Sequence, residues 1–139
     1  MNANFIFWPM IIQAAVTLWL YVPMSRARVA AVKAGTAKAS DFRLPNRDET
    51  GETRHIVNAL NNQFELPVLF FAVCLAAHGA GVVDITMLAL AWGFVIAKTA
   101  HVTVHATTNR LRFRRPVFMV AYAIAIAMWL WFAIRLAMG

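Results

Sequence analysis

The chain has 139 residues, 61% of them hydrophobic and 14% charged, with 13 Lys and Arg against 6 Asp and Glu. Soluble domains average about half apolar and about a quarter charged, so the composition argues for a membrane protein before any residue is placed. The net charge of +7 would suit nucleic acid, but no recognition motif accompanies it, and the single cysteine, Cys74, excludes an internal disulfide.

Four apolar stretches are long enough to cross a bilayer as helices, which takes about 20 residues each. The first runs from about Phe5 to Met24. Its leader, MNANFIFWPM, has no Lys or Arg and its apolar run is too long for a signal peptide, so it is read as a retained anchor. Residues 25–55 then form a long polar connection holding Arg26, Arg28, Lys33, Lys38, Arg43, Arg47 and Arg54. Within it VAAVKAGTAKA is expected to form a short surface helix, and Thr50 or Thr53 to cap the next element.

The second span runs from about Ile56 to Ala77, and Gly79 and Gly81 mark the tight turn that follows. Asp84 caps the third, which runs from about Val83 to Thr108. Residues 109–115 carry Arg110, Arg112, Arg114 and Arg115. The fourth span, Pro116 to about Met138, is expected to begin at its proline, where a missing N–H costs nothing. Open strands cannot satisfy their backbone in lipid, so the expected fold is all-α, a single four-helix membrane domain over 1–139.

Except for Lys98 and Arg135, every Lys and Arg lies in the first or third connection. Those connections, 25–55 and 109–115, therefore share one side, and the positive-inside tendency assigns that side to the cytoplasm with both termini outside. Trp8, Trp129 and Trp131 then fall near the outer boundary, and the basic residues face anionic lipid headgroups.

Two polar stripes interrupt the apolar pattern. Asn58, Asn61, Asn62 and Glu65 recur at helical spacing in the second span, as do Lys98, His101, His105 and Asn109 in the third. A charge at mid-membrane costs at least about 2.5–3.5 kcal/mol, so the stripes should turn inward and pair Glu65 with Lys98, Arg112 or Arg114. That arrangement makes a polar pocket open toward the basic side; the alternative is a polar contact that only holds helices together. His101 and His105 have metal-ligand spacing but lack a third ligand, so no metal site is expected. Cys74 is read as a small buried residue, His78 as an interface residue, and Gln13 with Thr17 as a helix contact on the first span.

With Asn62, Glu65 and Pro67 in the second span, and Lys98, His101, His105 and the arginines up to Arg114 after them, the chain resembles the MAPEG family. These are membrane-associated proteins in eicosanoid and glutathione metabolism, and the likeness is closest to small bacterial members. The resemblance covers nearly the whole chain. It implies a homotrimer in a bacterial inner membrane, with glutathione as co-substrate bound between neighbouring protomers near the cytoplasmic face and a lipophilic small molecule or lipid as partner. It further implies that Asn58, Asn62, Glu65, Lys98, His101 and His105 hold glutathione while Arg112 or Arg114 stabilises its thiolate. The activity implied is that of a transferase or peroxidase acting on lipophilic electrophiles, or else a non-catalytic lipid-binding or scaffold role on the same fold. The chain departs from the family pattern at Asn58, where relatives commonly carry arginine, at Asn61, where some do, at Lys98, where arginine is frequent, and at His105, where many eukaryotic members carry tyrosine.

Overall fold

The computed structural model describes residues 2–42 and 51–138. A 3₁₀ turn, Ala3–Ile6, leads into α1 (Phe7–Trp19) and α2 (Tyr21–Lys33). After a second 3₁₀ turn, Ala39–Phe42, come α3 (Gly51–Asn61), a 3₁₀ turn at Asn62–Phe64, and α4 (Leu66–Gly79). The chain ends in α5 (Ile85–Ala106) and α6 (Leu111–Met138). Among the described residues there is no strand, and four helical runs are long and apolar enough to span a membrane: Ala3–Lys33, Thr53–Gly79, Ile85–Ala106 and Leu111–Met138.

Prolines set where these runs bend. Pro23 has no N–H to give the Trp19 carbonyl, and the helix is interrupted at Leu20, where α1 passes into α2. Helix then continues to Lys33, so the expected surface connection is helical over its first third. Gly35 ends it with φ 71, and the N–H groups of Gly35 and Thr36 close on Val32 O and Ala31 O at 3.1 Å each. Arg28 lies over the Phe42 ring at 5.2 Å. Thr53 sits inside α3 rather than capping it; Thr50, Arg43 and Arg47 lie outside the described residues.

The second span is not one helix. Pro67 deprives the Gln63 carbonyl of its donor, and Glu65 adopts φ −98, ψ −96 between the 3₁₀ turn and α4. At the far end of α4, Gly81 takes φ 69 while its N–H reaches His78 O at 3.1 Å and Val82 N–H reaches Ala77 O at 3.0 Å. This Schellman closure needs the left-handed residue that glycine supplies without strain. Asp84 caps α5 as expected, accepting from Met87 N–H at 2.8 Å.

The fourth helix begins earlier than its proline. Pro116 lies inside α6, which starts at Leu111, so Arg112, Arg114 and Arg115 are helical rather than part of a loop. The missing N–H leaves one carbonyl, that of Arg112, short of its helical donor in the basic first turns.

The main core packs Phe70, Val73 and Cys74 of α4 against Met87, Ala91 and Phe94 of α5 and Ala121, Ala125 and Met128 of α6. Phe70 and Phe94 stack at 4.5 Å between centroids, worth about 0.5–1.5 kcal/mol beyond their area. Alanines on α5 and α6 let those two helices lie close, the usual route to packing where lipid competes equally for apolar surface. A smaller cluster joins Leu20, Ala59, Leu60 and Val102 nearer the basic end. Along α5 the buried Lys98 and His101 lie between Phe94 of the first cluster and Val102 of the second, and buried His105 follows.

Candidate functional site

Lys98 is fully buried, and its position is set by the break before α4. Its ammonium donates to Asn62 Oδ1 at 2.6 Å and to the Asn62 carbonyl at 3.3 Å. Phe118 of α6 presents its ring to the same ammonium at 5.6 Å, a cation–π contact. Asn62 in turn donates from Nδ2 to Glu65 Oε2 at 2.7 Å. The expected partnership of Glu65 and Lys98 is thus routed through Asn62, which accepts from the cation and donates to the carboxylate. Glu65 itself is exposed on the outside of the break.

One and two turns further along α5, His101 and His105 are 2% and 4% exposed. Their rings lie 5.5 Å apart, and His101 is 5.3 Å from Phe118. Both Nδ1 atoms are buried without a hydrogen-bond partner. Such an atom costs about 1–3 kcal/mol unless something meets it, which marks this row as a place for a ligand or water to bind.

Beyond His105, Asn109 has a left-handed backbone, φ 48. It joins His55 of α3, through Nδ2 and the ring Nδ1 at 2.8 Å, to Arg114 of α6, which donates to Oδ1 at 2.8 Å. Asn62 and Glu65 of the break, Lys98, His101 and His105 of α5, and Arg114 of α6, reached through Asn109, therefore form one row.

The remaining sequence candidates stand apart. Asn58 is exposed, and Arg112 is exposed with its guanidinium over the ring of its neighbour Phe113 at 6.0 Å. Gln13 makes the helix contact expected of it: its amide donates to Gln63 Oε1 at 3.2 Å, and Gln63 donates to Ala59 O at 3.2 Å. This buried pair pins α1 to the break and so steadies Asn62. His55 lies outside the expected stripe yet on the same helical register, three residues before Asn58 and seven before Asn62. Extending the stripe by one turn finds it.

No group of three or more His, Cys, Asp or Glu among the described residues is placed to hold a metal ion. Two grooves along α5 are apolar, and neither is lined by a residue of the row. One of about 610 Å³ is lined by Ile12, Trp92, Val95, Ile96, Thr99 and Thr103 among others, between α1 and α5. A second, of about 370 Å³, lies between α5 and α6 along Gly93, Ile96, Ala97, Pro116, Val117 and Val120.

At the opposite end of the bundle, Asp84 also accepts from the Trp131 indole N–H at 3.0 and 3.1 Å and pairs with Arg135 at 3.5 Å. His78 meets Asn4 at 3.0 Å and lies against Phe7. These contacts tie helix ends together far from the row.

The family model described as MAPEG matches residues 6–134. No curated protein and no solved structure matches the chain.

Proposed function

Because the chain belongs to the MAPEG family, which includes glutathione transferases and peroxidases, we propose that it is a membrane-bound glutathione-dependent transferase or peroxidase. The observation that carries the proposal is the buried basic row, in which Lys98 and two histidines with unpartnered nitrogens lead to Arg114. The donor set fits an anionic thiol peptide. Lys98 uses two acceptors on Asn62 and keeps donor capacity, and the ring nitrogens of His101 and His105 are unsatisfied.

Bound glutathione would supply a thiol whose thiolate is the nucleophile. Lys98, His101 and His105 would hold its carboxylates, while Asn62 and Glu65 would engage its amides and amino group. Arg114 would stabilise the thiolate by positive charge. Glu65, although exposed, is tied to Lys98 through Asn62, whereas Arg112 lies over Phe113 and Asn58 sits on an exposed face of α3 ahead of the break. The apolar grooves along α5 suit a lipophilic electrophile delivered from the bilayer.

Assembly as a homotrimer is part of the proposal, with exposed residues of α5 such as Ile96 at 68% meeting lipid or a neighbouring copy. So is the orientation: the basic end in the cytoplasm, both termini outside, and the whole chain one domain in a bacterial inner membrane.

The test is binding and turnover by detergent-solubilised protein, with glutathione and either a chlorinated aromatic or a lipid hydroperoxide. Conjugate or alcohol formation that vanishes in Arg114→Ala supports the reading; absence of saturable glutathione binding at about 10 mM, a binding energy under about 3 kcal/mol, removes it. A second reading, a non-catalytic lipid-binding protein, draws on those same apolar grooves. Mass spectrometry of gently extracted protein would then find bound lipid and no glutathione.

A further inference from the structure

Asn109 sits where α5 hands over to α6, with φ 48 and its own N–H on Val104 O at 2.8 Å. Its amide touches two side chains, and their chemistry fixes its orientation. Arg114 approaches Oδ1 at 2.8 Å, and a guanidinium can only donate, so the amide oxygen must face Arg114. The amide nitrogen therefore faces His55 Nδ1 at 2.8 Å, and that ring nitrogen must be the bare acceptor. His55 is thereby held as the tautomer with its proton on Nε2. One side chain at the basic end thus links α3, the α5–α6 connection and the start of α6.

We propose that Asn109 and His55 are positioning residues that hold Arg114 at the mouth of the Lys98–His101–His105 row, its remaining donors turned toward an anionic group of the bound ligand. The inference rests on the reading of that row as a glutathione site. It sets Arg114 apart from its neighbours. Arg112 and Arg115 are exposed, and Arg112 lies over Phe113 instead. An arginine left free must give up rotamer freedom when a ligand binds; one already fixed through Asn109 gives up less. It also accounts for an asparagine at this position, since Asn tolerates a left-handed backbone while offering both a donor and an acceptor.

The experiment uses the full chain in lipid nanodiscs, with histidine labelled by ¹⁵N. Asn109→Gly keeps the left-handed backbone and deletes the amide. Asn109→Asp keeps the backbone and the acceptor for Arg114 but removes the donor to His55. Arg112→Ala serves as the control. In the unsubstituted protein and in Arg112→Ala, the His55 ring should show a bare Nδ1 and a protonated Nε2. Both Asn109 variants should lose that signature. Glutathione affinity should fall about tenfold in Asn109→Gly and recover to within about threefold in Asn109→Asp, in which Arg114 keeps its anchor.

An unchanged His55 signature in Asn109→Gly would overturn the proposal, as would unaltered glutathione affinity in that variant. If the unsubstituted protein bound no glutathione yet the signature shifted, the bridge would stand and the ligand assigned to the row would fall. The two failures are therefore distinguishable.

Discussion

Lys98 can sit with no exposed surface because Asn62 meets its ammonium twice, with a side-chain oxygen and a backbone carbonyl. Hydrogen bonds to charged groups are worth about 1.5–3 kcal/mol each, so the asparagine decides whether the charge is tolerated. Asn62→Ala should therefore lower stability by about 2–3 kcal/mol, measured by denaturant unfolding in detergent. Asn58→Ala, at an exposed position on the same stripe, should change it by less than about 0.5 kcal/mol. Similar losses in both would mean that the Lys98 contact is not special. The sequence made Asn62, Glu65, Lys98 and both histidines legible, because helical spacing puts them on two faces that lipid disfavours. It could not show that Asn62 stands between lysine and glutamate, since that depends on how two separate elements meet. Nor could it rank Arg112 against Arg114, which differ only in which way each points from the first turns of α6.

At the scale of elements, hydropathy located the four spans but not their helical ends. Composition changes where lipid gives way to water, whereas backbone hydrogen bonding continues past that point. This is why α2 runs on to Lys33 and α6 begins at Leu111 ahead of Pro116. The break at Asn62–Glu65 is set by Pro67, and it gives Lys98 its backbone acceptor. Pro67→Ala restores an N–H for the Gln63 carbonyl and should let α3 run into α4. Helix content by circular dichroism should hold or rise while glutathione binding weakens about tenfold, the equivalent of about 1.4 kcal/mol; unaltered binding would separate the break from the site. Gly81→Ala meets no steric obstacle, so its cost should be the backbone strain alone, about 1–2 kcal/mol by thermal unfolding.

Asp84 lies in the connection just before α5 and joins it to α6. Burial pushes its carboxyl up, but the Met87 N–H, the Trp131 indole and the Arg135 charge outweigh burial and hold it below the usual range. A depressed folded value means stabilisation that is full above the unfolded value, about pH 3.9, and lost as pH falls through the folded one. Asp84→Asn should thus be less stable than the unsubstituted protein at pH 7, with the gap closing under strong acid. A gap that is constant with pH would contradict this assignment.

For the whole molecule, four apolar runs and the match over residues 6–134 agree on an all-helical membrane protein of the MAPEG family. The placement of basic residues in two of the three connections predicts their side. A cysteine introduced in a Cys74→Ala background at Lys38 should be shielded from an impermeant thiol reagent in intact cells, and one at Asn2 should be labelled; the reverse pattern would invert the topology. The break before α4, α5 and the head of α6 would together present one basic pocket for glutathione. Titration calorimetry of glutathione into nanodisc-embedded protein, beside Lys98→Met, tests it most directly. Saturable binding is expected with Kd near or below about 1 mM, weakened at least about tenfold in Lys98→Met while the fold persists. Equal affinity in the two proteins, or no binding in either, would contradict it.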